Sequence, residues 1–188
     1  VDIGTGDGRF VYQRARANPD KFYVGIDVNP APLEKVSEKA HRKPAKGGAP
    51  NVLFVQAPIG ELPAELNGTA DEVHIHFPWG SLLSAIWGGD ETTLAGIRRI
   101  CARDALLEVV IGLDPERDRS ELGRLGLTGL SEEHSRDRLA RCYTAAGFDI
   151  CEMGMISPGD WPCLDTTWAK RLRVSRSRQL FYLIARAV

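Results

Sequence analysis

The chain has 188 residues, 43% hydrophobic and 26% charged, with a formal net charge of −1, a length and composition that suit one α/β domain over residues 1–188 and require no second domain. Charge this close to zero excludes nucleic-acid affinity through bulk electrostatics, so any such binding has to come from a local patch. The cysteines Cys101, Cys142, Cys151 and Cys163 lie far apart with no C-x-x-C, there is no signal peptide and no apolar run near the roughly twenty residues of a membrane span, and a cytoplasmic protein without membrane, disulfide framework or metal is expected.

Val1-Asp-Ile3 reads as the end of a strand that runs into the turn Gly4-Thr-Gly-Asp-Gly8. Strands commonly have about five residues, so residues upstream of Val1 are expected to be missing from this sequence. Phe10 to Ala17 is predicted helical, with Asn18-Pro19-Asp20 as the turn that stops it. Strand Phe22–Asp27 follows, then a helix Pro32–Ala40, a basic tail from His41 to Pro50, and strand Val52–Gln56. From Asp71 to Phe77, Val73, Ile75 and Phe77 alternate with Glu72, His74 and His76, a strand pattern that ends at Pro78. Helix Thr92–Arg103, strand Ala105–Gly112, helix Glu132–Ala146 and strands Phe148–Ile156 and Gln179–Ala187 complete the order. Between Asp114 and Ser131, Arg117, Arg119 and Arg124 mix with Glu116, Asp118 and Glu121, which predicts a solvated surface insertion.

The glycine loop is a cradle for a nucleoside cofactor. Gly4, Gly6 and Gly8 let the backbone turn sharply and bring its N–H groups to a ligand, with Thr5 and Asp7 between them. Asp27 stands where a carboxylate can accept both ribose hydroxyl hydrogens. A dinucleotide site would need G-x-G-x-x-G, and the third glycine falls on Arg9. Asp7 also suits the cationic ammonium and sulfonium of S-adenosyl-L-methionine better than a pyrophosphate. Strands alternating with helices until the final pair predict an open, mostly parallel sheet with helices on both faces and an antiparallel pair at the end. This pattern resembles the class I S-adenosylmethionine-dependent methyltransferase fold, an α/β, Rossmann-like fold with a seven-stranded sheet and an antiparallel last strand. Its ligands sit at the carboxyl ends of the strands, so the loops after Ile3, Asp27, Gln56 and Phe77 should form one pocket.

The loop His76-Phe-Pro-Trp-Gly-Ser-Leu-Leu83 bears on the methyl acceptor. Amino-directed adenine methyltransferases have an Asn or Asp before Pro-Pro-aromatic here, and carbon-directed pyrimidine enzymes need a cysteine nucleophile; neither is present. A ring nitrogen such as adenine N1 fits what is left, because its lone pair is free at neutral pH and needs only to be held in line with the donor. A duplex base has to be extruded first, and an aromatic sandwich offsets part of that cost. Trp79 is one candidate for the sandwich, with a packing role as the alternative. Trp168, in the basic stretch Asp165-Thr-Thr-Trp-Ala-Lys-Arg-Leu172, is the other, while Trp87 and Trp161 are expected to be structural. From Thr166 onward there are six Lys/Arg (Lys170, Arg171, Arg173, Arg176, Arg178 and Arg186) and no Asp or Glu, which suits either a patch for RNA phosphates or a plain solvated edge.

The glycine loop together with Phe77-Pro-Trp-Gly-Ser-Leu-Leu83 and Thr166-Thr-Trp-Ala-Lys-Arg-Leu172 resembles the Kam/Npm-type aminoglycoside-resistance methyltransferases, over essentially the whole chain. That family modifies N1 of an adenine in the decoding site, helix 44 of 16S rRNA in the 30S subunit. The resemblance implies that Trp79 and Trp168 clamp the flipped adenine. It places Gly4, Asp27, Ile59, Gly60, His76, Ser81 and Thr166 around the cofactor, with Glu61 as the neighbour that competes with Gly60. It also implies that Lys39, Arg42 and Lys43 dock on the RNA backbone, that Arg171, Arg176 and Arg178 hold the distorted phosphate, and that the enzyme works as a monomer. The main alternative is a transfer-RNA guanine-N7 methyltransferase, which shares the loop and an F-x-x-P-W-like motif but normally follows it with a basic run, where Gly80-Ser-Leu-Leu-Ser-Ala-Ile86 is uncharged.

Overall fold

Seven strands form one mixed sheet in a computed structural model that describes residues 1–127, 132–156 and 178–188. The strands are β1 (Asp2–Ile3), β2 (Tyr23–Asp27), β3 (Val52–Gln56), β4 (Ala70–His76), β5 (Cys101–Leu113), β6 (Phe148–Ile156) and β7 (Gln179–Ala187), in the order β3-β2-β1-β4-β5-β7-β6. All neighbours are parallel up to β5, and β7 runs antiparallel to both β5 and β6. The final pair of strands therefore forms as the alternation predicts, with β7 inserted between β5 and the edge strand β6. No helix among the described residues is long and apolar enough to cross a membrane.

Strands and helices follow from apolar spacing. Val73 and Ile75 of β4 and Leu107, Val109 and Ile111 of β5 are buried by the two-residue period. They pack on α3 (Gly80–Gly88) through Leu83 and Ile86 and on α4 (Glu91–Ile100) through Leu94, Ile97 and Ile100. Helix α6 (Glu132–Ala145) adds Leu139 and Tyr143 to the same core. Trp87 is buried there, edge-on to Phe181 at 5.0 Å. On the other face, Phe10, Val11, Tyr12 and Ala15 of α1 (Arg9–Ala17) pack with Val36 and Ala40 of α2 (Pro30–Ala40) and with Val52. Gly8 starts α1 with φ of +64°, and a Cβ there would lie 2.5 Å from the Phe54 ring, so the turn fits only glycine.

Two helix boundaries differ from expectation by two residues or more, and one helix is not expected. Helix α2 begins two residues early, because the Asn29 side chain accepts the Ala31 N–H and Pro30 fits a first helical position. Helix α4 stops at Ile100 instead of Arg103, and β5 takes over at Cys101, with Asp104 at φ of +61°. Helix α3 is unexpected. Its residues are small or apolar and its first residue lacks a side-chain cap, so it carries neither an amphipathic stripe nor a start signal.

Candidate active site

A cavity of about 670 Å³ opens at the carboxyl ends of β1, β2, β4 and β5, within the size range of small-molecule sites. Its first half is made by contiguous sequence. The N–H groups of Gly4 and Thr5 donate to the Ile26 carbonyl at 2.8 and 3.0 Å, which folds the loop against β2. Asp27 Oδ2 then accepts the Gly6 N–H at 2.8 Å and Oδ1 accepts the Asn29 N–H at 2.9 Å. Each carboxylate oxygen keeps a lone pair for a further donor, and Asp27 lines the cavity. Gly6 has φ of +58°, and a Cβ added there would meet nothing within 4 Å, so glycine is favoured by its backbone angle and leaves open space for a ligand. Thr5 Oγ1 is buried without a partner among the described residues. Thr5 does not line the cavity, but a vicinal diol on Asp27 and an uncrowded glycine wall are what a nucleoside cofactor supplies and needs, so the residues fit S-adenosylmethionine.

The second half gathers residues distant in sequence. Phe77 follows β4 at φ of +53°, outside the regions a bulky residue prefers, and its N–H donates to the Val110 carbonyl at 2.7 Å. Non-glycine backbone held there costs about 1–2 kcal/mol. The strained turn presents Pro78 and Trp79 to the cavity, and Trp79 stays 47% exposed, which separates it from the buried Trp87. Gly112, Asp118 and Arg178 line the cavity as well. Arg178 Nη1 donates to the Gly112 carbonyl and to Asp118 Oδ2, each at 2.9 Å, with side-chain exposures of only 9% and 12% for Arg178 and Asp118.

The segment that begins at Asp114 exposes Glu116, Arg117, Arg119 and Arg124 as its charges predict, but it is not solvated throughout. Asp114 is buried, Leu122 of α5 (Arg119–Arg124) joins the core, and Asp118 Oδ2 accepts the Asp114 N–H at 2.8 Å. Sequence reasoning misses Asp118 as a cavity residue because a charge run gives no sign that one carboxylate has a cation waiting at the start of β7, 60 positions later. Arg178 is likewise placed differently from a surface contact, since it is buried between β5 and α5.

Of the other expected residues, Gly4, Gly6, Asp27, Ile59, Trp79 and Ser81 line the cavity. Asp7 lies in a neighbouring groove with Arg9, Lys35 and Lys39, joined to the cavity by Asn29, and accepts the Arg9 N–H at 3.2 Å. Gly60 sits in the single helical turn Ile59–Glu61 at the rim. His76 is not a lining residue; its side chain is under α1, edge-on to Phe10 at 4.9 Å, with Nε2 2.5 Å from Glu108 Oε1. The alternation that buries Ile75 and Val73 on the α3 side sends His74 and His76 to the α1 side. Lys39 Nζ lies 4.5 Å from the centre of the Tyr12 ring, a cation–π contact, and Arg42 and Lys43 are exposed just beyond α2. Thr166, Trp168, Arg171 and Arg176 lie outside the described residues.

The family model described as 16S rRNA (adenine(1408)-N(1))-methyltransferase matches residues 1–187. A protein of that name from Streptoalloteichus tenebrarius is 36% identical over 179 residues, 95% of this chain and 81% of its own length. Among solved structures, the aminoglycoside resistance methyltransferase NpmB1 is 48% identical with a TM-score of 0.85, covering 100% of this chain and 85% of that one. A variant of the 16S rRNA (adenine(1408)-N(1))-methyltransferase from Catenulisporales acidiphilia, solved with its cosubstrate SAM, has a TM-score of 0.87 at 33% identity, over 100% of this chain and 84% of its own. A tRNA (guanine-N(7)-)-methyltransferase from Bacillus cytotoxicus is similar over only 42% of this chain.

Proposed function

The chain belongs to the 16S rRNA (adenine(1408)-N(1))-methyltransferase family, and on that premise we propose that it methylates N1 of this decoding-site adenine in 16S rRNA of the 30S subunit, conferring aminoglycoside resistance. Its methyl donor is S-adenosylmethionine, whose sulfonium supplies a methyl group to a nucleophile. The observation that carries the reading is one cavity walled on one side by the Gly4–Asp27 cradle and on the other by the half-exposed Trp79.

Asp27, fixed by Gly6 and Asn29, holds the ribose and so sets where the donor ends. Trp79 stacks on the adenine after it leaves the RNA helix, with Trp168 as the opposite face of the sandwich. Adenine N1 carries a free lone pair at neutral pH, so no general base is required and rate comes from orientation. Among the described cavity residues, the acid on the acceptor side, Asp118, is committed to Arg178. Lys39, Arg42 and Lys43 beside the α1–α2 layer dock on phosphates, as do Arg171 and Arg176. Arg178 serves that contact from beneath, by fixing the start of β7 to β5 and α5. A methyl and a positive charge on N1 remove an acceptor that aminoglycosides use and repel their ammonium groups.

The test is transfer of labelled methyl from S-adenosylmethionine to purified 30S subunits, with the modified base located by reverse-transcription arrest. Arrest at the decoding-site adenine is expected, and Trp79→Ala and Trp168→Ala should each lower kcat/KM by about 10- to 100-fold, the worth of one base–aromatic stack, without weakening cofactor binding. Methyl transfer to transfer RNA and none to 30S would overturn the assignment in favour of guanine-N7 chemistry.

A further inference from the structure

On the sheet face turned away from α3 and α4, three ligand-bearing side chains converge. The two-residue period of β4 places His74 and His76 on one face, and the register sets Glu108 of β5 directly beside His74. Glu108 Oε1 lies 3.4 Å from His74 Nδ1 and 2.5 Å from His76 Nε2. Taking one donor atom from each residue, the three atoms all lie within 4.8 Å of one another. None of the three lines the cofactor cavity.

We propose that His74, His76 and Glu108 form a binding site for a divalent transition ion of the zinc type. Bonds of about 2.0–2.1 Å in a tetrahedral shell put ligand atoms about 3.3 Å apart. The His74–Glu108 edge already has that length, the His76–Glu108 edge reaches it by opening less than about 1 Å as the ion replaces the hydrogen bond, and the His74–His76 edge lies within 4.8 Å. Two imidazoles and one carboxylate suit zinc, cobalt or nickel; magnesium and calcium prefer all-oxygen shells. An outer carboxylate is in place too. Glu72 Oε2 lies 3.4 Å from His74 Nε2, the nitrogen away from Glu108, and Glu72 is itself held by Lys21 at 3.2 Å. A carboxylate on the far imidazole nitrogen orients a metal-binding histidine and raises its basicity. His76 is buried edge-on to Phe10, and its Nδ1 has no hydrogen-bond partner among the described residues, so Glu108 is the one hydrogen-bond partner of this ring there. Side-chain exposures of 14% for His74 and 29% for Glu108 leave a way in from solvent. An ion here would tie β4 to β5 at the residue that leads into Phe77, Pro78 and Trp79.

Cysteine spacing speaks only against a thiolate site; the visible signal of this imidazole–carboxylate site is the H-x-H of β4. The experiment uses protein dialysed against chelator and titrated with Co²⁺, followed by visible d–d absorption and by competition with Zn²⁺. One saturable equivalent is expected, with a rise in Tm. His74→Asn and Glu108→Gln should each weaken binding by at least about 10-fold, and Glu72→Gln by about 10-fold through the outer contact. Cofactor affinity of each variant reports that it is folded, and Glu72→Gln, at a half-exposed side chain, tests the site even where an inner variant fails to fold. Absence of a saturable equivalent, binding indifferent to all three substitutions, or a Co²⁺–thiolate charge-transfer band would overturn the proposal.

Discussion

The two walls of the cavity are built in opposite ways. On the β1–β2 side, residues 4 to 29 make the wall with backbone N–H groups and one carboxylate, all within two turns of adjacent strands. On the β4–β5–β7 side, Trp79, Asp118 and Arg178 come from three separate elements, and a buried ion pair joins the last two across 60 positions. A wall made of contiguous backbone loses function before it loses the fold; a wall made of a buried long-range pair loses the fold first. A charge left unpaired indoors has no solvent to replace its partner.

The largest effect that would sharpen this contrast is at Arg178. Arg178→Ala should cost about 3 kcal/mol in urea denaturation, the usual penalty for leaving one charge of a buried pair alone. Replacing both members, Arg178→Met with Asp118→Leu, should recover most of that loss. A double variant as unstable as the single one would break the comparison, because the cost would then lie in packing and not in charge. Next in size is the opposite wall. Asp27→Asn should cost little in stability yet weaken S-adenosylmethionine binding by about 30-fold, equal to about 2 kcal/mol for a lost charge-assisted acceptor. Calorimetry of binding beside thermal melts of the same samples separates the two quantities, and a large drop in Tm with unchanged affinity would show that Asp27 holds the loop, not the ligand.

The same contrast explains what is legible in the sequence. Gly4, Gly6, Gly8 and Asp27 announce a cradle because each acts on its neighbours, and the period of Val73 and Ile75 announces a buried strand for the same reason. Helix α3 is hidden, since Leu83, Ile86 and Trp87 are buried by the sheet and not by any local pattern. Asp118 reads as solvated and Arg178 as an RNA contact, and both readings miss the pair because charge is visible in a sequence and its partner is not. His76 falls between the two cases. Alternation correctly sets it opposite Ile75, and that same alternation carries its side chain away from the cavity that resemblance assigns to it.

Helix α4 tests whether locality or position in the fold governs sensitivity, because its Leu94, Ile97 and Ile100 join the core shared with β4 and β5 while it starts with a local device. Asp90 Oδ1 accepts the Thr93 N–H at 2.8 Å, and hydrogen bonds from Thr93 hold its carboxyl below the ordinary value of 3.8. The folded chain thus releases this proton more readily than the unfolded one. Its contribution is complete above the ordinary value and is lost as the pH falls through the depressed one. Asp90→Ala should cost about 1 kcal/mol at neutral pH, the usual worth of a helix cap, with less difference from the parent near pH 3, where the parent has lost part of its own cap. Asp90→Asn, which keeps the acceptor, should stay close to the parent at neutral pH and change less with acid. Cofactor affinity should not move in either variant. A penalty near that of Arg178→Ala would mean that every contact under this wall is cooperative, whereas a penalty near 1 kcal/mol keeps the long-range pair as the distinctive dependence of the acceptor side.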